Sequence, residues 1–179
     1  MSRLRVWAPK RSTVAVAIGD RKLPMRHEAG GWWSLDSRLL SPGTDYAFIL
    51  DGGQPLPDPR SQWQPEGVHG RSRIIDHGAF HWHDDGWNPP PLSSALIYEL
   101  HIGTFTPAGT FDSAIERLSH LVDLGVTHVE LMPVAHFSGD RGWGYDGVDL
   151  FAPHQAYGGP EGLKRLVDAC HSRGLAVIM

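Results

Sequence analysis

Three consecutive prolines, Pro89, Pro90 and Pro91, divide this chain into two stretches that obey different periodicities. None of the three can donate a backbone N–H and each holds φ at roughly −65°, so neither a sheet ladder nor a helix runs through them. Before them, from Arg3 to about Ile75, short β-like runs are separated by turn residues. Thr13 to Ile18 precedes Gly19-Asp20, and Asp45 to Leu50 precedes Asp51-Gly52-Gly53. Runs this short and regularly punctuated predict a small antiparallel, immunoglobulin-like β-sandwich over residues 1–85, with residues 86–95 as a proline-rich linker. The segment Pro55 to Gly70 reads as a long ordered loop.

After Ser94 the pattern changes. Leu96 to Phe105 is a mostly apolar run, and Ile115, Leu118, Leu121 and Val122 then fall at helical spacing. Thr110 or Asp112 can cap that helix and Gly125 stops it. Val126 to Val134 is a second strand-like run. Pro160 sits in the first turn of a second helix that carries Leu163, Leu166, Val167 and Cys170 on one face and ends at Gly174. Leu175 to Met179 begins a third apolar run. Strand, helix, strand, helix, strand is a parallel order for residues 96–179, buried on both sheet faces.

Bulk composition narrows the partners. The 16 basic and 20 acidic residues give a net charge of −4 and are spread along the sequence, so no basic stripe offers itself to nucleic acid. The start reaches Pro9 without an apolar leader-like segment, and no later stretch is long and apolar enough for a membrane. These features predict a soluble, cytoplasmic protein. Cys170 is the single cysteine and cannot form an internal disulfide.

In parallel α/β folds ligands bind beyond the carboxyl ends of the strands. The loop after Phe105 is short and nearly featureless. The one from Ala135 to Gly159 far exceeds the usual connection of roughly 2 to 6 residues and holds Gly142-Trp143-Gly144-Tyr145-Asp146-Gly147. Glycines let the backbone bend while two aromatics and a carboxylate are displayed, a combination suited to the C–H face and hydroxyls of a sugar. The competing reading is that Trp143 and Tyr145 only anchor a long loop by packing.

Other clusters carry less. His81, His83, Asp84 and Asp85 lie on alternate residues beside a turn, which rarely converge on a metal. His27-Glu28 lacks the second histidine of a zinc protease helix. Glu99 and His101 lie two apart on one strand and read as a hydrogen-bonded structural pair. Cys170 reads as a small core residue, and Trp32-Trp33 as hairpin core or, less simply, as a glycan platform.

Several segments together carry a resemblance. YELHIGTFTPAGT at Tyr98 to Thr110, LVDLGVTHVELMP at Leu121 to Pro133, GWGYDGVDLFAP at Gly142 to Pro153 and AYGGPEGLKRL at Ala156 to Leu166 resemble the opening of the glycoside hydrolase family 13 barrel, the alpha-amylase superfamily. Val6 to Pro9, Pro42 to Asp51 and DPRSQWQPEGVHG at Asp58 to Gly70 resemble the amino-terminal sandwich of the maltooligosyltrehalose trehalohydrolases within it. Branching enzymes are the rival, but their pattern has a Gln where this chain has Asp146.

The resemblance implies the first strands of a (β/α)8 barrel, cut after the third, behind the sandwich. It also implies a parent enzyme that releases trehalose from maltooligosyltrehalose by hydrolysing an α-1,4-glucosidic bond with retention, without a cofactor. Tyr145 matches the tyrosine that stacks on the glucose before the scissile bond, Trp143 and Asp146 border it, and Asp149 braces the loop. The nucleophilic Asp and acid/base Glu belong to later strands, so no catalytic residue and no metal ligand is assigned here. The expected partners are maltooligosyltrehalose or a related α-glucan, and the remainder of the barrel or a second copy to cover its open edge. A non-catalytic glycan-binding module and a branching or debranching enzyme are the alternatives.

Overall fold

The computed structural model describes residues 3–36, 38 and 40–179, so Met1, Ser2, Ser37 and Leu39 of the expected sandwich segment lie outside the described residues. The amino-terminal part contains β1 (Arg3–Trp7), β2 (Val14–Ile18), β3 (Arg21–Pro24), β4 (Arg26–Glu28), β5 (Trp32–Asp36), β6 (Asp45–Leu50), β7 (Pro55–Leu56) and β8 (Ser72–Arg73). One antiparallel sheet runs β1-β5-β4, and a second runs β3-β2-β6-β7 with β8 also pairing β6. Both sheets bury one face. Val6, Trp33 and Leu35 from the first meet Val14, Val16, Tyr46 and Phe48 from the second in a common core. The β-branched and aromatic residues that favour a pleated surface are thus also the ones that remove it from water. Trp33 belongs to this core, its Nε1 donating to Ala8 O at 3.2 Å.

The second part begins with β9 (Ile97–Leu100), α1 (Ile102–Phe105), α2 (Phe111–Ile115), α3 (Leu118–Asp123) and β10 (His128–Leu131). It continues through β11 (Ala135–His136), β12 (Asp149–Pro153), α4 (Gly159–His171) and β13 (Ala176–Ile178). The strands β9, β10 and β13 form a parallel sheet in the order β13-β10-β9, with Val129 of β10 paired to Tyr98 on one side and Val177 on the other. A separate core of Leu100, Phe111, Leu118, Leu121, Val129, Leu166 and Cys170 joins these strands to the helices.

Three expectations change in detail. The apolar run from Leu96 to Phe105 is not one strand: the backbone leaves the sheet after Leu100 and Ile102–Phe105 coils as α1. The first crossover helix is broken at Glu116-Arg117 into α2 and α3, and in α3 Val122 is 42% exposed while Leu118 and Leu121 stay buried. Thr110, not Asp112, caps α2: its hydroxyl accepts from Ser113 N–H and the Ser113 hydroxyl oxygen accepts from Thr110 N–H, a reciprocal capping box. Asp112 instead pairs with Arg165 of α4 at 2.8 Å. No helix among the described residues is long and apolar enough to cross a membrane.

The two parts are in contact. Residues 83–87 lie against α4, where Asp168 accepts from His83, Asp84 lies 2.7 Å from His171 Nδ1, and Trp87 stacks on the His171 ring at 3.7 Å. His83 and Asp84 of the sequence cluster therefore serve docking. Among the described residues no group of three potential ligands converges on a metal site.

Candidate functional site

A cleft of about 870 Å3 opens at the carboxyl ends of β9 and β10, within the range of roughly 300 to 1,000 Å3 typical of small-molecule sites. Its walls include His101, Gly103 and Thr104 after β9, Met132 after β10, Asp140 to Trp143 of the long loop, and Ala156 and Tyr157 ahead of α4. Each contribution follows from the local chain. β9 is short because the chain coils into α1, and Gly103 sits where a Cβ would lie 2.9 Å from His101 Cε1 and 3.1 Å from the Tyr157 ring. The long loop folds back on itself through a small β11–β12 hairpin, His136 facing Asp149 across it.

His101 ties these walls together. Its Nε2 lies 2.9 Å from Gly142 O and 3.2 Å from Tyr157 Oη, and its Nδ1 lies 3.2 Å from Thr104 Oγ1. A carbonyl can only accept, so Nε2 carries a hydrogen and donates it to Gly142. In the neutral ring Nδ1 is then free to accept from the Thr104 hydroxyl. These three partners replace the Glu99 pairing expected from their spacing, and of that pair's two readings the place of His101 in the cleft wall fits the one that shapes a ligand site.

Behind the cleft lies a buried aromatic layer. Phe137 stacks on His154 at 3.8 Å, His154 meets Tyr157 edge-on at 4.8 Å, and His136 and His154 approach through their Nδ1 atoms at 3.2 Å. Gln155 N–H also donates to His136 Nδ1, so that nitrogen is an acceptor and His136 carries its hydrogen on Nε2. Burial pushes the His136 imidazole below its ordinary range, and burial together with His136 lowers His154 to about 4. Both rings are neutral around pH 7. Burial, reinforced by the negative charge of Asp146, also raises the Tyr157 phenol. Asp149 is buried with its Oδ2 unpaired, and burial raises its carboxyl above the usual range.

Of the residues singled out from the sequence, Trp143 lines the cleft and is 74% exposed. Tyr145 and Asp146 stand on the same loop and are exposed, Tyr145 to 73%, but neither is among the residues that line the cleft. His101, whose second reading from the sequence is a part in shaping the sugar site, lines the cleft, whereas Arg141 and Tyr157 are cleft residues that the sequence reading does not single out. The only signal for Tyr157 was its position in the AYGG turn just before a helix, and Arg141 carried none.

Comparison with known proteins assigns the chain to a family. Residues 70–179 match the family described as alpha amylase, catalytic domain. A malto-oligosyltrehalose trehalohydrolase of Arthrobacter ramosus is 51% identical over 98% of this chain, which corresponds to 31% of that protein. A crystal structure of a Salmonella typhimurium protein described as an alpha amylase superposes with a TM-score of 0.94 at 46% identity, covering 98% of this chain and 30% of that one. A Paenibacillus barengoltzii pullulanase variant complexed with maltotriose superposes with a TM-score of 0.81 at 27% identity, over 99% of this chain and 36% of that one. The chain thus spans about a third of the length of these relatives.

Proposed function

Because the chain belongs to the alpha-amylase family, we propose that it is the amino-terminal portion of a glycoside hydrolase that releases trehalose from maltooligosyltrehalose by cutting an α-1,4-glucosidic bond. On this reading residues 1–85 form an immunoglobulin-like sandwich, 86–95 a linker, and 96–179 the first three strands of a (β/α)8 barrel. The observation that carries the proposal is the cleft beyond the carboxyl ends of two adjacent parallel strands, walled by an aromatic loop. That is where a barrel collects its substrate, and the identity to a trehalohydrolase extends across both parts of the chain.

The residues of this chain then have a binding role. Trp143 offers an indole face to a pyranose, Arg141 and Asp140 offer a donor and an acceptor for hydroxyls, and the exposed Tyr145 stacks on the glucose next to the scissile bond with Asp146 beside it. Retaining hydrolysis needs a pair of carboxylates roughly 5 to 5.5 Å apart, a nucleophile and an acid/base. None is assigned within this chain, so the chemistry is completed by the strands that follow in the longer enzymes. The same premise accounts for the apolar surface beside β13. Leu150, Phe151 and Met179 are exposed around a hollow of about 300 Å3 lined by Leu131, Val134 and Leu163, and the rest of a barrel would cover it.

The test is an assay of the chain extended to the length of its relatives, with maltooligosyltrehalose as substrate. Free trehalose as the product supports the reading. New α-1,6 branches, or no cleavage at all, would replace it with the branching or the non-catalytic alternative.

A further inference from the structure

Gln155 is gripped from two sides. Its side-chain Oε1 accepts from Trp63 Nε1 at 2.8 Å, across 92 positions of sequence, and its backbone N–H donates to His136 Nδ1 at 3.2 Å. It opens the 3-10 turn Gln155–Tyr157, and the next two residues, Ala156 and Tyr157, are walls of the cleft. We propose that Trp63, in the loop between β7 and β8 of the amino-terminal part, is a positioning residue for the cleft, acting through Gln155. The assignment rests on reading that cleft as the α-glucan site.

Trp63 is built to hold a position. Its backbone N–H donates to Ser61 Oγ at 3.3 Å, and its carbonyl accepts from Ser61 Oγ at 2.9 Å and from Arg73 N–H at 2.9 Å. The Arg73 guanidinium covers its ring at 5.0 Å and is itself paired with Asp45 of β6. The indole is thus anchored to the second sheet of the sandwich, and only its N–H reaches out. A second contact runs parallel to it, with Arg60 of the same loop over the Phe151 ring of β12 at 5.5 Å.

On the receiving side there is little slack. A Cβ on Gly159 would stand 2.8 Å from Gln155 Oε1, so α4 begins hard against the acceptor. Any shift of Gln155 passes along its turn to Tyr157, whose hydroxyl lies 3.2 Å from His101 Nε2, and through His101 to the Gly142 carbonyl beside Trp143. The sandwich in this arrangement sets the shape of the glucan site; it needs no sugar contact of its own to matter for turnover.

Two substitutions break the bond from either end, and one keeps it. Trp63→Phe retains the ring under Arg73 and loses the donor; Gln155→Leu loses the acceptor; Gln155→Glu retains an acceptor oxygen. In the extended enzyme acting on maltooligosyltrehalose, Trp63→Phe and Gln155→Leu should each lower kcat roughly two- to tenfold, the reach of one uncharged hydrogen bond, with KM little changed. The double variant should lose no more than either single one, because both remove the same interaction, and Gln155→Glu should stay near wild type. Additive losses, or wild-type kcat in both single variants, would overturn the assignment.

A second arm does not depend on the activity. In the 179-residue chain, amide exchange at residues 156–158 should accelerate in Trp63→Phe and Gln155→Leu but not in Gln155→Glu, with the thermal midpoint held. Unaltered exchange in all three sinks the coupling. If the wild-type extended protein releases no trehalose while the exchange pattern is as expected, the functional reading fails and the coupling between Trp63 and the cleft turn stands.

Discussion

Gly144 is the position at which the aromatic loop has least freedom. Its φ is +89°, and a Cβ added there would stand 2.1 Å from Pro133 O and 3.0 Å from Pro133 C. Both obstacles are backbone at the end of β10, which cannot rotate away as a side-chain tip could. Gly144→Ala therefore carries two costs: about 1–2 kcal/mol for placing a side chain in the left-handed region, and about 1–3 kcal/mol for forced overpacking.

Neighbouring glycines separate these costs. Gly139 has φ +81° but nothing within 4 Å of its would-be Cβ, so Gly139→Ala bears only the backbone cost. Gly147 needs no positive φ and would meet Ala135 Cβ at 3.1 Å, a contact that a small shift relieves. Urea unfolding of the three variants should rank Gly144→Ala as the most damaging, about 2–5 kcal/mol below wild type, with the other two each within about 2 kcal/mol. Amide exchange should accelerate across residues 142–148, because the loop must leave Pro133 before β10 gives way. If Gly144→Ala proves no more destabilising than Gly139→Ala, the close approach to Pro133 is not a constraint and the reasoning fails.

Further outcomes follow from groups away from that loop. His136 and His154 titrate below the ordinary histidine range in the folded chain, so between about pH 6.5 and about 4 the unfolded chain binds protons that the folded one refuses. Stability should fall as pH drops through that window, and His154→Gln should flatten its part of the slope; parallel melting-versus-pH curves for the two proteins would refute this. Cys170 is fully buried and its thiol is pushed up to about 12, so native protein should resist iodoacetamide and react once denatured, as mass spectrometry would show. Tyr46 Oη donates to the buried Asp58 carboxylate at 2.7 Å, and Tyr46→Phe should cost about 1–3 kcal/mol in urea unfolding by leaving that oxygen without its donor. If Tyr145 stacks on the glucose next to the scissile bond, as proposed, then in the extended enzyme Tyr145→Ala should lower kcat more than it weakens substrate binding, since contact with a sugar ring that flattens in the transition state tightens there; unchanged constants would remove Tyr145 from the site.

Local order was readable wherever neighbours in sequence decide the outcome. Asp45 to Leu50 is β6 to the residue, because a run of β-formers bounded by Thr44 and Asp51-Gly52 has no competing period. Pro160 and Gly174 mark the ends of α4 and its following turn for the same reason: one supplies the fixed φ of a first helical turn, and the other the left-handed φ of +76° that stops it. The parallel order of the strands in the second part rests equally on short-range pattern.

Where that pattern was ambiguous, packing decided. Leu96 to Phe105 is apolar enough for strand or helix, and it is both. Val122 has the spacing of a core residue, yet packing leaves it 42% exposed while Leu118 and Leu121 of the same helix are buried. The cleft was the least legible feature. The GWGYDG segment announces a displayed loop, yet which of its aromatics turns toward the β9 end depends on His101 holding Gly142 from 41 positions away. Likewise Trp63 and Gln155 carry no mutual signal in the sequence and meet only because the loop that holds Arg60 and Trp63 packs against the second part at Phe151 and Gln155. Periodicity encodes what each segment buries, whereas the partners across a cleft are set by the crossing of segments distant in the chain, and that is a property of the assembled tertiary structure alone.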